Sequence, residues 1–137
     1  MVNARLNLLV KLKSETGEVP MDGNSQDFAA KWKDACNSHD LERIMALYSE
    51  VIVFKSPRVP VISGEPSGTL HGKAAVHDYW RRVFERHPDL TFAIGEVFAG
   101  VDSIALEYRV GDHLHGIEFM TLDDNGLISY AAGNDIT

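Results

Sequence analysis

At 137 residues the chain has room for one domain, and a core of that size stands without covalent staples. Thirteen basic against twenty acidic side chains leave a net charge of -7, which argues against nucleic acid and membrane partners, whose phosphates an acidic surface repels. The lone cysteine, Cys36, excludes an intrachain disulfide and a cysteine-rich metal site, and reads as a small buried apolar group.

Leu6, Leu8, Val10 and Leu12 alternate with Arg5, Asn7 and Lys11, a strand-like period of two. An added edge strand and a loose extension are both open for this stretch. Asn7 and Lys11 break the apolar run and no small-residue cleavage site follows, so it does not read as a signal peptide. No stretch approaches the ~18 apolar residues of a membrane span, and a cytoplasmic location is expected. Ser14–Ser25, rich in Gly, Glu, Asp and Ser, reads as a linker. Residues 1–24 are therefore taken as an N-terminal extension and 25–137 as the folded domain.

From Ser25, read as a helix cap, the residues Phe28, Ala29, Trp32, Ala35 and Cys36 form one apolar stripe. Asn37-Ser38-His39 breaks that helix, and Asp40 caps a second one carrying Leu41, Ile44, Met45, Leu47 and Tyr48. Val51–Lys55 is β-branched and ends at Ser56-Pro57, so it reads as a strand. A long loop, Pro57–Gly68, follows. Lys73–His87 is a third helix, with Val76, Tyr79, Trp80, Val83 and Phe84 on its buried stripe and Pro88 as its stop. Strands over Thr91–Phe98, Ser103–Val110 and Leu114–Leu122 come next. A last strand, Leu127–Ile136, follows the turn Asp123-Asp124-Asn125-Gly126. Three helices with one strand among them, then an antiparallel run, predict an α+β domain with helices over one face of a curved sheet.

The order His39-Asp40, Leu47-Tyr48, Val53-Phe54, Ser56-Pro57, Gly64–Gly68, His71-Gly72, Tyr79-Trp80, His87–Leu90 and Asp123–Ile128 resembles the nuclear transport factor 2-like superfamily, in particular its SnoaL-like branch. The resemblance runs from about Phe28 to Asp135. It implies a cone of three N-terminal helices packed on a curved, mainly antiparallel sheet around a pocket. It also implies a homodimer through the outer sheet face. Members include ketosteroid isomerases, polyketide cyclases, limonene epoxide hydrolases and scytalone dehydratases. The expected function is binding of a small apolar ligand, with an isomerase, cyclase or dehydratase acting on a carbonyl or hydroxyl compound by acid–base chemistry. A non-catalytic binding or accessory domain of the same fold stays open beside it.

Carried over residue by residue, the ketosteroid isomerase pattern puts Ser56 where the base stands, Trp32 where a tyrosine stands, and Glu118 at the protonated acid. Two of three roles are lost, so that chemistry is disfavoured. The epoxide hydrolase pattern needs two acids and an arginine. Glu118 and Asp135 supply acids, but Arg109 alternates to the face opposite Tyr108. The cyclase pattern pairs acid and histidine, and His113 or His115 reaches Glu118 only through a bulge at His115-Gly116; both histidines read more simply as surface residues.

Glu118 is the catalytic candidate, because a carboxylate among Met120, Tyr108 and Leu106 is desolvated and its pKa rises. A structural glutamate tied to Trp32, Tyr48 or a backbone group is the competing reading. Trp32, Tyr48, Phe54 and Ser56 are ligand-binding candidates, and so are Trp80, Tyr108, Met120 and Asp135, on the ground that polar-tipped aromatics suit a cavity. No spacing indicates a metal, and no cofactor is expected.

Overall fold

A computed structural model describes residues 21–112 and 114–136. The strand period read over residues 5–12 and the histidine at 113 lie outside the described residues. Among the described residues four helices and six strands follow one another: α1 Met21–Ser38, α2 Leu41–Met45, β1 Tyr48–Lys55, α3 Val59–Ser63, β2 Thr69–His71, α4 Lys73–Arg86, β3 Phe92–Ala99, β4 Ser103–Val110, β5 Leu114–Leu122 and β6 Ile128–Asp135. The strands lie in one curved, unclosed sheet in the order β2-β1-β6-β5-β4-β3. All pairs are antiparallel except β1 with β6. The helices cover its concave face, which is the α+β layout read from the residues and the cone that the resemblance implies.

Local chemistry explains the junctions. α1 stops at His39, whose φ of 57° is left-handed. The His39 imidazole stacks on Phe84 at 4.1 Å and its Nε2 lies 2.6 Å from the Leu90 carbonyl, which ties the helix end to the segment before β3. Asn37 holds the first residue of that strand by two bonds, its amide donating to the Phe92 carbonyl and its oxygen accepting from the Phe92 N–H. Asp40 caps α2 by accepting from the N–H groups of Glu42 and Arg43. The β5–β6 hairpin closes on Asp123, whose carboxylate accepts from Asn125 and Leu127, with Gly126 at a φ of 77°.

Four expectations are corrected. Ser25 is not a cap: α1 already spans Met21, and Ser25 is buried within it. α2 ends at Met45, and Tyr48 opens β1 instead of closing a helix. The i, i+3, i+4 spacing of Leu41, Ile44, Met45, Leu47 and Tyr48 imitates a longer helix, but Leu47 and Tyr48 are buried by the sheet. The Pro57–Gly68 stretch is not all loop. It contains α3, with proline in its first turn, where the missing N–H costs nothing, and left-handed Gly64 after its end. Finally, β4 and β5 pair without interruption from Ser103↔Thr121 to Val110↔Leu114, so no bulge exists at His115-Gly116. The irregularity of β5 lies against β6, at Thr121/Leu122.

Buried groups from the helices (Trp32, Cys36, Ile44, Val76, Trp80) meet the inward rows of the sheet. Among the described residues no helix is long and apolar enough to cross a membrane.

Candidate functional site

Strand alternation builds the floor of the site. On β4, Ile104, Leu106 and Tyr108 point inward; on β5, Gly116, Glu118 and Met120; on β6, Ala131, Gly133 and Asp135 continue the same rows. One row across the sheet is Leu106–Glu118–Gly133, and the next is Tyr108–Gly116–Asp135.

Both glycines leave space that the site uses. A Cβ on Gly133 would stand 3.3 Å from a Glu118 carboxylate oxygen and 3.6 Å from Ser56 Oγ. A Cβ on Gly116 would stand 2.9 Å from the Tyr108 hydroxyl, and the phenol passes over that gap to donate to Asp135 at 3.3 Å.

Above this floor lies a cavity of about 80 Å³. Aromatic side chains line much of its wall: Trp32 from α1, Tyr79 and Trp80 from α4, Phe92 from β3, Tyr108 from β4 and Phe54 from β1. Trp32, Phe92 and Tyr108 meet edge to face or tilted, with ring centres 5.3–6.2 Å apart. The polar or charged groups on the lining, besides the aromatic tips, are Ser56, Arg58, His87 and Glu118. Arg58 and His87 are exposed at the mouth, whereas Glu118 is buried at 8% exposure.

Glu118 is the electrostatic centre. Burial among apolar groups pushes its carboxyl up to about 8, and the neighbouring Asp135 charge adds to the rise. Among the described residues no group donates a hydrogen bond to it, so nothing offsets the desolvation. The tie to Trp32 or Tyr48 considered from the sequence is therefore not made. The phenol of Tyr79 is pushed up to about 12, chiefly by burial. Tyr108 is also raised, by burial first and then by the Glu118 and Asp135 charges. Near neutral pH the cavity thus presents a carboxylic acid and neutral phenols.

Of the residues singled out from the sequence, Trp32, Phe54, Ser56, Trp80, Tyr108 and Glu118 line the cavity. Tyr48 and Met120 do not. Tyr48 lies beneath the wall, its hydroxyl accepting from the Trp80 indole at 3.3 Å, and Met120 is packed fully inside the core. Both point inward, but they lie behind the side chains that wall the cavity. Asp135 stands beside the cavity, bound to Tyr108 and by an ion pair of 2.9 Å to Arg58. His115 faces outward and pairs with Glu107 at 2.8 Å, which removes it as a partner for Glu118. Arg109 is exposed, as its alternation predicts.

Sequence reasoning missed Arg58, Tyr79, His87 and Phe92. Tyr79 carried a signal, since it shares the buried stripe of α4 with Trp80. Arg58 carried none, because its partner Asp135 is 77 positions away. Among the described residues no group of three His, Cys, Asp or Glu side chains is placed to hold a metal ion.

The SnoaL-like domain model matches residues 29–131. The chain belongs to the SnoaL-like family. A SnoaL-like protein of unknown function from Burkholderia thailandensis E264 is 34% identical over 85% of this chain and 97% of that one, with a TM-score of 0.80. SalBIII, an epoxide hydrolase/cyclase-like enzyme of pyran ring formation in salinomycin, shares the fold at 18% identity, with 85% and 93% covered and a TM-score of 0.65. An NTF2-like protein of unknown function from Cytophaga hutchinsonii does so at 14% identity, with 82% and 89% covered and a TM-score of 0.62. No curated protein matches this chain.

Proposed function

We propose that the protein binds a small carbonyl or hydroxyl compound in this cavity and that Glu118 moves a proton on it, as an isomerase, cyclase or dehydratase would. The observation that carries the reading is the buried Glu118 carboxyl at the cavity floor, raised to about 8 with no donor to satisfy its charge. In that state it gives its proton to a carbonyl oxygen or a departing hydroxyl. The carboxylate so formed takes a proton from the adjoining carbon, which restores the acid. Tyr79 and Ser56 beside it offer hydroxyl donors to the oxygen that gains charge. The family's fold includes SalBIII, which is described as epoxide hydrolase/cyclase-like, so such chemistry is at home in this cone.

At about 80 Å³ the cavity is small beside the ~300–1,000 Å³ of common ligand sites. The ligand is accordingly a short compound, or one whose remainder projects past Arg58 and His87. The absence of a histidine or second free acid beside Glu118 among the described residues favours the second reading, a binding domain without chemistry. One experiment separates the two. The small molecule retained by the purified protein is identified by native mass spectrometry and then offered to wild type and Glu118→Gln. Catalysis predicts retained binding with turnover reduced by at least ~100-fold. Binding alone predicts that neither protein converts the molecule. A chain that retains and binds nothing contradicts both.

The outer sheet face serves in this reading as the contact with a second copy. Phe98, Ile117 and Phe119 are exposed there at 58%, 43% and 37%, and Phe119 packs on Tyr130 at 6.2 Å. Light scattering should give about 30 kDa, twice the 15.2 kDa chain, and Ile117→Lys with Phe119→Lys should halve it. A wild-type monomer at micromolar concentration contradicts the dimer.

A further inference from the structure

We propose that Arg58 selects ligands with a carboxylate, gripping the anionic end at the cavity mouth while the short apolar body lies against Trp32 and Trp80. The proposal rests on the ligand-binding reading of the cavity and adds the chemical class it takes.

Three observations and the chemistry of the guanidinium carry it. Among the described residues Arg58 supplies the one permanently positive side chain on the cavity lining. Its guanidinium makes a single bond to Asp135, from Nη2 to one carboxylate oxygen at 2.9 Å. A guanidinium has five donors in a planar fork, so an incoming carboxylate finds a bidentate site only partly used. Asp135 also keeps a partner when Arg58 turns to a ligand, because its other oxygen accepts from the Tyr108 phenol.

The position of Arg58 is also fixed from behind. Its backbone N–H donates to Ser56 Oγ at 3.1 Å, and it stands between Pro57 and the proline-bearing first turn of α3. The backbone that carries the guanidinium is thus held at the rim before a ligand arrives.

Size and charge fix the orientation. A cavity of about 80 Å³ takes a body of a few carbons, so a polar end emerges at the mouth. An anion placed at the floor instead would be desolvated beside the buried Glu118 carboxyl, with no cationic side chain of the described residues facing it. At the mouth it meets Arg58, with His87 across the opening. A neutral amide or alcohol of the same shape fills the cavity but leaves the fork without its matching acceptor.

The test uses three probes of one body shape: isobutyrate, isobutyramide and isobutanol. The chain has two tryptophans, Trp32 and Trp80, and both line the cavity, so their fluorescence reports occupancy directly. In the wild-type chain isobutyrate should bind at least ~10-fold more tightly than the other two, the scale of a charged hydrogen-bond pair. Arg58→Gln should bring the acid down to the level of the amide while leaving amide affinity within about twofold. Asp135→Asn, which frees the guanidinium, should tighten isobutyrate alone. If Arg58 and Asp135 merely tie α3 to β6, the two variants shift all three probes alike, and the proposal is overturned. It is overturned equally if the amide or alcohol matches the acid in wild type, a result that leaves the cavity reading intact. Silence for all three probes also overturns it, and the co-purifying molecule then judges the cavity separately.

Discussion

Glu118→Gln should make the folded protein more stable than wild type at pH 8 and lose that advantage at pH 4. The sign follows from linkage. In the unfolded chain Glu118 ionises near the ordinary glutamate value of 4.5, while in the fold burial, then Asp135, hold it at about 8. Below pH 4.5 both states carry the proton and the group contributes nothing to pH dependence. Between pH 4.5 and 8 the unfolded state loses the proton and the folded state keeps it, so stability falls as pH rises. Above about 8 the penalty is constant. At ~1.36 kcal/mol per pKa unit, the interval from 4.5 to about 8 gives a ceiling of roughly 4–5 kcal/mol. Relaxation around the ionised group trims this to an expected ~3 kcal/mol. Glutamine does not titrate, so the variant lacks this fall. Urea unfolding of both proteins at pH 4, 6 and 8 reads the difference. Any fixed cost of burying an amide drops out, because the quantity of interest is the change with pH. A stability difference that stays flat from pH 4 to 8 would mean that the carboxyl is not held protonated.

Phe92→Ala should cost ~3–5 kcal/mol, a large share of the ~5–15 kcal/mol that stabilises a domain of ordinary size. Phe92 is buried, and its ring touches Trp32, Tyr108 and Trp80 with centres 5.3, 5.7 and 6.1 Å away. The backbone at this position is bracketed by the Asn37 amide, so β3 stays in place when the ring is removed. Collapse into the space is therefore limited, and the existing cavity of about 80 Å³ grows by most of a phenyl ring. An apolar hole of ~150 Å³ accepts benzene. Benzene should then raise the melting temperature of the variant by several degrees and leave wild type unchanged. A cost below about 1 kcal/mol, or equal stabilisation of both proteins, would show that Phe92 does not wall the cavity.

The β4–β5 pair was the most legible part of the sequence, because its alternation is strict. Ser103–Val110 and Leu114–Leu122 have the bounds read from their residues. Parity puts Glu118 on the face opposite Ile117 and Phe119, and the family resemblance says which of the two faces is inward. The glycine turn after Asp123 and the cap at Asp40 were equally plain, since each rests on a side chain bonding a backbone group a few residues on.

What the sequence concealed is non-local. The parallel pairing of β1 with β6 brings Ser56 beside Gly133, and the turn into α3 sets Arg58 on Asp135; no periodicity encodes either meeting. The distinction between cavity wall and the layer behind it was hidden as well. Tyr48 and Tyr79 both read as inward phenols, but only the three-dimensional packing puts Tyr79 on the cavity and Tyr48 under Trp80. His115 was the opposite case. Its parity already pointed outward, and the continuous β4–β5 register left no bulge to turn it.

The protonated acid at the cavity floor is the central feature, and the side-chain carboxyl shift of Glu118 observes it without a ligand. With glutamate labelled at the carboxyl carbon, the Glu118 resonance is assigned by its loss in Glu118→Gln and followed by NMR from pH 3 to 10. A midpoint near 8 is the expected result. A midpoint between 4 and 5 would mean that the carboxylate is charged at neutral pH, and Glu118 could not then act as the acid on a bound carbonyl or hydroxyl compound.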